Sequence, residues 1–213
     1  VWNYIGTIVS MASGFVLLPL LMHFLSSSEL GLWYVYVALS NFAMLFEFGF
    51  NPTFARNIVY VISGARHLSI EGCDIKSVQE GIDWHLLNTV IKASKVIYAI
   101  LAVVVLALLS TIGSLYISFV ASGMGSFDIW VSWGLFCASV FLNLYFLWSI
   151  TVLRGYGDIA GENKAVVIGR AAQLSVSAIL LLLGYGLVGA AIGYLANAIL
   201  LRLSAVVTLR KHK

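Results

Sequence analysis

The chain has 213 residues, 61% of them hydrophobic and only 10% charged, with a mean hydropathy of +0.99. Soluble domains carry charge at about a quarter of their positions, so this composition excludes a soluble enzyme or binding module and describes an integral membrane protein. The net charge of +3 has a topological origin and forms no separate basic domain, so no nucleic-acid partner is expected.

Six long apolar runs fall at residues 2–25, 30–55, 86–118, 127–153, 163–184 and 187–208. About 20 apolar residues at 1.5 Å rise cross the hydrocarbon core as a helix, whereas barrel strands need only about 10 alternating ones. The expected fold class is therefore all-α, a polytopic membrane helix bundle with about six transmembrane helices. All 12 Lys and Arg lie in or beside alternate gaps: Arg56, Arg66, Lys76, Lys92 and Lys95, then Arg154, Lys164 and Arg170, then Arg202, Arg210, Lys211 and Lys213. The remaining gaps, Ser26-Ser27-Ser28-Glu29, residues 121–128 and Gly184-Tyr185-Gly186, have none. By the positive-inside rule the basic gaps and both ends of the chain are cytoplasmic.

The first span carries Asn3, Gly6, Thr7, Ser10, Ser13 and Gly14 on one face about 120° wide, a stripe that suits either a polar pathway or close helix packing. It opens at Val1 without Met or a basic flank, so it is expected to be truncated, and His23 at its outer end reads as a surface residue. The second span places Trp33, Tyr36, Ser40, Met44, Glu47 and Asn51 on a single face, an aromatic and polar surface suited to a sugar-bearing ligand. Glu47 is the one acid well inside an expected span. A charge there costs about 2.5 kcal/mol or more, so it should face the interior. Two roles stay open for it: a structural ion pair, for example with Arg170, or a proton- or cation-responsive carboxylate. Pro19 and Pro52 mark expected bending points.

Residues 64–85 are the one sizeable soluble segment, with Ile75, Val78 and Ile82 at helical spacing, and predict an amphipathic cytoplasmic helix. In the third span His85, Asn88, Lys92 and Lys95 share a face; in the fifth Arg170, Gln173 and Ser177 do so. Together they could form a basic inner vestibule, although Lys95 and Arg202 are expected to snorkel to the headgroups. The sixth span has Gly189 and Gly193 at packing spacing. Trp33, Trp84, Trp130 and Trp148 read as interfacial anchors. Cys73 and Cys137 lie in different environments and form neither a disulfide nor a metal site. No zinc-protease helix, phosphate-binding glycine loop, nucleophile elbow or paired acidic motif occurs, so neither catalysis nor a cofactor or metal is expected.

Gly14-Phe15-Val16-Leu17-Leu18-Pro19-Leu20-Leu21, Glu29-Leu30-Gly31-Leu32-Trp33, Phe46-Glu47-Phe48-Gly49-Phe50, Arg56-Asn57-Ile58, Leu153-Arg154-Gly155-Tyr156-Gly157-Asp158-Ile159 and Gly184-Tyr185-Gly186-Leu187-Val188-Gly189-Ala190 resemble the corresponding segments of Wzx-type polysaccharide flippases. These belong to the multidrug/oligosaccharidyl-lipid/polysaccharide exporter superfamily. The resemblance implies one lobe of a two-lobe transporter, with residues 1–213 corresponding to the first lobe and the C-terminal lobe absent. It also implies a lipid-linked oligosaccharide substrate carried on undecaprenyl diphosphate across the bacterial inner membrane for O-antigen or other surface polysaccharide. Membrane lipids, and a polysaccharide polymerase or chain-length machinery, are the further partners it implies. The expected substrate cavity comprises Trp33, Tyr36, Ser40, Asn51, Arg56, Arg170 and Gln173, with Glu47 as the ion-coupling group. The competing readings are a small-molecule cation antiporter of the same superfamily, which should show more buried carboxylates, and a membrane enzyme of polysaccharide assembly, which should show a large catalytic loop.

Overall fold

In hydrocarbon a backbone N–H or C=O has no water to bond, so each spanning segment must close its hydrogen bonds internally as a helix. The computed structural model, which describes residues 2–47, 49–69, 72–73, 80–122 and 126–210, follows that constraint. In chain order it comprises α1 (Trp2–Phe24), α2 (Ser27–Leu45), α3 (Phe50–Ile62), the short strands β1 (Leu68–Ser69) and β2 (Gly72–Cys73), α4 (Trp84–Leu108), a π-helical turn at Leu109–Gly113, α5 (Ser114–Val120), α6 (Ser126–Tyr145), α7 (Leu147–Gly155), α8 (Ile159–Leu182) and α9 (Gly186–Leu209). Five stretches are long and apolar enough to cross a membrane, and the α2–α3 pair makes a sixth crossing if its two bent helices are one span. The chain is thus an all-α polytopic membrane bundle.

Three expectations change. The second span begins at Ser27, because Ser26 and Glu29 close a capping box: Ser26 Oγ accepts from the Glu29 N–H at 3.3 Å, and Glu29 Oε2 accepts from the Ser26 N–H at 2.9 Å. That span is also not one helix to residue 55. It breaks after Leu45 and resumes at Phe50 with a 45° bend. The break belongs to Gly49, whose φ of +76° a side chain would strain. Pro52 sits in the first turn of α3, where its missing N–H has no partner to lose, and α1 runs unbroken through Pro19.

The segment 64–85 is likewise different. Leu68 pairs with Cys73 and Ser69 with Gly72 in a small antiparallel hairpin, so the start of this segment is not helical. Ile75 and Val78 lie outside the described residues. Asp83 caps α4, its Oδ1 accepting from the His85 and Leu86 N–H groups at 3.0 Å each. The Leu86 N–H bond, foremost, holds the Asp83 carboxyl below its ordinary value; the cap is complete above about pH 4 and is lost as pH falls through that lowered pKa.

Around this frame α9 is central, packing against α8, α6, α7 and α2, while α1 rests on α8 and α4 on α6, α7 and α3. Lipid tails are as apolar as leucine, so helices gain most from close approach. Small residues provide it. A Cβ at Gly193 would stand 3.0 Å from the Gln173 carbonyl oxygen, one at Gly189 would lie 2.9 Å from Leu180 Cβ, and one at Gly169 would lie 2.8 Å from Leu201 Cβ. On α1, Gly6 meets Asn163 of α8 and Ser13 is buried, which assigns that half of the first-span stripe to packing; the side chains of Asn3 and Ser10 lie outside the described residues. At Gly113 the π-helical turn brings the backbone onto the Trp133 ring, and Trp133 Nε1 donates to Ser114 Oγ at 3.0 Å.

Gly193→Leu should therefore force α8 and α9 apart and destabilise the protein by about 1–3 kcal/mol, read as a lower thermal midpoint in detergent. Gly14→Leu, with nothing within 4 Å of its added Cβ, should leave that midpoint unchanged.

Candidate functional site

The stripe expected to line a cavity divides at the helix break. Trp33, Tyr36 and Ser40, on α2, point inward against α6 and α9 and are 4%, 0% and 5% exposed. Tyr36 Oη donates to the Ile129 carbonyl at 3.1 Å and lies 3.1 Å from Ser132 Oγ, and Ser40 Oγ is 3.3 Å from Tyr194 Oη. Trp33 and Tyr36 make edge and tilted contacts with Phe136, whose ring stacks on Tyr194 at 4.8 Å. These are core contacts. The aromatic faces meet one another across α2, α6 and α9, so in this arrangement Trp33, Tyr36 and Ser40 line no lumen, and Trp33 is no interfacial anchor.

The lower part of the stripe is a polar junction. Glu47 lies in the break, 20 residues from Ser27 and so about 30 Å along the crossing, at the edge of the hydrocarbon rather than deep within it. The earlier helix start moves it there. Its Oε1 accepts the Asn51 N–H at 3.0 Å and so caps α3, whose Ncap, Gly49, has no side chain to do this. Asn51 is buried, and its Oδ1 accepts from Arg154 Nη1 at 3.3 Å. Arg154, near the end of α7, also donates to both carboxylate oxygens of Glu162 on α8, from Nε at 3.2 Å and from Nη2 to Oε1. Tyr98 Oη, 3.4 Å from Thr151 Oγ1, completes the surroundings, and Glu47 and Arg154 act on it electrostatically. Asn51 thus links Glu47 to Arg154, whose own ion pair is with Glu162, and Arg170 takes no part in this group. A guanidinium fork joins α3, α7 and α8 across the break.

Arg170 belongs to a second seam. Its Nη1 donates to Gln173 Oε1 at 3.1 Å, and the same oxygen accepts from Asn197 Nδ2 at 3.0 Å across the α8–α9 interface. Gln173 and Ser177 are buried beside Gly193. Arg56 is exposed on α3, apart from both groups. Arg202 is 6% exposed and donates from Nη2 to the Asn143 carbonyl and Oδ1 at 2.9 and 3.2 Å, so it is held within the bundle and does not snorkel.

The expected basic face of the third span does line a space. Asn88, Lys92 and Lys95 on α4 border a cavity of about 240 Å³ with Trp148, Tyr156 and Arg210, and Lys95 Nζ sits 4.2 Å from the centre of the Trp148 ring. Arg170, Gln173 and Ser177 are not part of it, so the two basic faces do not form one vestibule. Among the described residues no three His, Cys, Asp or Glu converge as metal ligands.

Sequence spacing missed Arg154 as a network centre, because Arg154 and Glu162 face each other across the Tyr156-Gly157-Asp158 turn rather than along one helix. No protein-family model, curated protein or solved structure matches the chain.

Arg154→Met should leave Glu162 and Asn51 without their donor and lower stability by about 1–2 kcal/mol. Arg56→Met, at an exposed site, should stay within about 0.5 kcal/mol of the parent. Equilibrium unfolding in detergent measures both.

Proposed function

We propose that the chain is one lobe of an alternating-access flippase that carries an undecaprenyl-diphosphate-linked oligosaccharide from the cytoplasmic to the outer leaflet of a bacterial inner membrane. The observation that carries the reading is the second span, broken at Gly49 with Glu47 capping the restarted helix beside Arg154. The second span pairs a helix break with a charged side chain at the edge of the hydrocarbon, an arrangement that anchoring alone does not need. Transporters use it, because a broken helix turns two segments about one point and leaves backbone groups for ions and substrates.

The chemistry at the break suits a coupling role. Protonation of Glu47 would remove both the anion that caps α3 and the charge facing Arg154, freeing the guanidinium to favour Glu162 and loosening α3 from α7. The direction of cargo movement and the glycan come from the resemblance of the segments around Pro19, Glu47, Arg154 and Gly186 to Wzx-type flippases. The cluster of basic groups on one side of the bundle agrees with an anionic cargo entering from that side. In this reading the Trp33–Tyr36–Ser40 core is the closed state of the path.

The test places the chain, within its full reading frame, in a flippase-null strain that makes the cognate lipid-linked glycan. Surface polysaccharide should return, and Glu47→Gln should cut translocation by about tenfold and remove its dependence on external pH. If the parent protein reaches the membrane and the precursor stays trapped inside, the cargo is a small molecule instead. If Glu47→Gln translocates fully at every pH, the coupling role is wrong.

A further inference from the structure

A second apolar space adjoins the basic cavity. It has about 290 Å³ and is bordered by Leu142 and Phe146 at the end of α6 and by Ala198, Ile199, Leu203 and Val206 on α9, together with Arg202, whose guanidinium is taken up by Asn143. Val206 borders both spaces, and the residues that α9 and its C-cap give to the two, 198, 199, 202, 203, 206, 209 and 210, recur at three- and four-residue steps. The two cavities therefore form one groove along a single face of α9, apolar toward the membrane centre and basic toward its charge-rich end.

The change of character falls at a defined depth. Val206 lies 20 residues from the start of α9 at Gly186, and Phe146 lies 20 residues from the start of α6 at Ser126, about 30 Å in each case. That is the thickness of the hydrocarbon core. Lys95 lies 25 residues from Val120 at the far end of its crossing, about 37 Å, and so at headgroup level. Both walls switch from apolar to polar lining where a bilayer switches from acyl chain to phosphate.

The polar half carries Lys92, Lys95 and Arg210, and no acidic residue is among the described residues that border it. Asn88 and Tyr156 add neutral polar groups, and the Trp148 face holds the Lys95 ammonium in place. A soluble phosphate would use the basic half alone and leave the apolar half unexplained; a neutral lipid would leave the three cations without a counter-charge. A molecule with an anionic phosphate at one end and a hydrocarbon chain at the other satisfies both.

We propose that this groove binds an anionic phospholipid of the leaflet on the charge-rich side, its phosphate among Lys92, Lys95 and Arg210 and one acyl chain along Leu142, Phe146, Ala198 and Leu203. Such a lipid would bridge α4, α7 and α9 and hold together the two sides of the bundle near the α2–α3 break. The inference rests on the membrane fold and not on transport.

Native mass spectrometry of the detergent-purified chain, titrated with dioleoyl-phosphatidylglycerol or dioleoyl-phosphatidylcholine, tests it. Phosphatidylglycerol should bind in preference. The pair Lys92→Gln and Lys95→Gln should weaken it by about thirtyfold, each surface cation contributing about fivefold, while Lys92→Arg with Lys95→Arg should retain it. Leu203→Trp, at an exposed position of the apolar half, should weaken it too. Because both lysines are exposed, the Gln pair is expected to fold, and its helical circular dichroism checks this; if it does not fold, Leu203→Trp and glycerol phosphate competition carry the test. Equal binding of the two lipids, an unaffected Gln pair, or displacement of phosphatidylglycerol by glycerol phosphate would each overturn the proposal. Lipid retention is read without any translocation, so its failure and that of the transport reading are separate results.

Discussion

The absence of water from the hydrocarbon governs this molecule. A polar atom there must find its partner in the protein, and it does so at a small number of junctions that also set how the helices meet. Arg154 does this at the edge of the hydrocarbon, from a partly solvent-exposed position. One guanidinium serves Asn51 on α3 and Glu162 on α8, and Asn51 in turn binds Glu47 at the helix break, so three helices meet at one side chain. Gln173 does the same on a smaller scale, accepting from Arg170 and Asn197 and so fixing the register of α8 on α9. Glycine lets these helices approach: at Gly169, Gly189 and Gly193 a side chain would meet the facing helix of the α8–α9 pair, and at Gly155 it would meet Ile58 across α3 and α7.

These junctions share a depth. The break after Leu45, the interruption at Phe146 between α6 and α7, and the transition from apolar to basic lining near Val206 all lie about 30 Å from the charge-poor ends of their crossings. Toward the charge-poor side the bundle is a dry core of Trp33, Tyr36, Trp133, Phe136 and Tyr194; toward the charge-rich side it is broken, ionic and open. The same helices thus combine a closely packed aromatic half with a half built of ion pairs and interrupted helices.

Much of the fold was legible in the sequence because run length and charge placement are global properties that local detail does not disturb. The number and approximate placement of the crossings follow from run length. The α2–α3 break was not legible, because Pro52 looks like the breaker and Gly49 lies in an apolar run without a turn cluster; only the positive φ of Gly49 separates them. The pairing of Leu68 with Cys73 was not legible either, since strands of two residues carry no periodicity; Ile75 and Val78, on which the expected helix rests, lie outside the described residues. For the candidate site, spacing correctly grouped Trp33, Tyr36 and Ser40 on one face. It gives angles within a helix but not the rotation of that helix in the bundle, and so could not tell core from cavity. Lys92 and Lys95 were grouped rightly, while their neighbours Trp148 and Arg210 come from other helices and leave no trace in local periodicity.

The account depends most on α2 and α3 being two parts of one crossing, with the break near the charge-rich side. Labelling with a membrane-impermeant maleimide in intact cells tests this, using single cysteines at Ser28 and Ser63, on either side of the pair, in a background where Cys73 and Cys137 are serine. Ser28→Cys, in the exposed first turn of α2, should label from outside, and Ser63→Cys, just beyond α3, only after permeabilisation. Labelling of both from outside in intact cells would make the pair a re-entrant loop and contradict the six-crossing arrangement on which the junction at Glu47 and Arg154 rests.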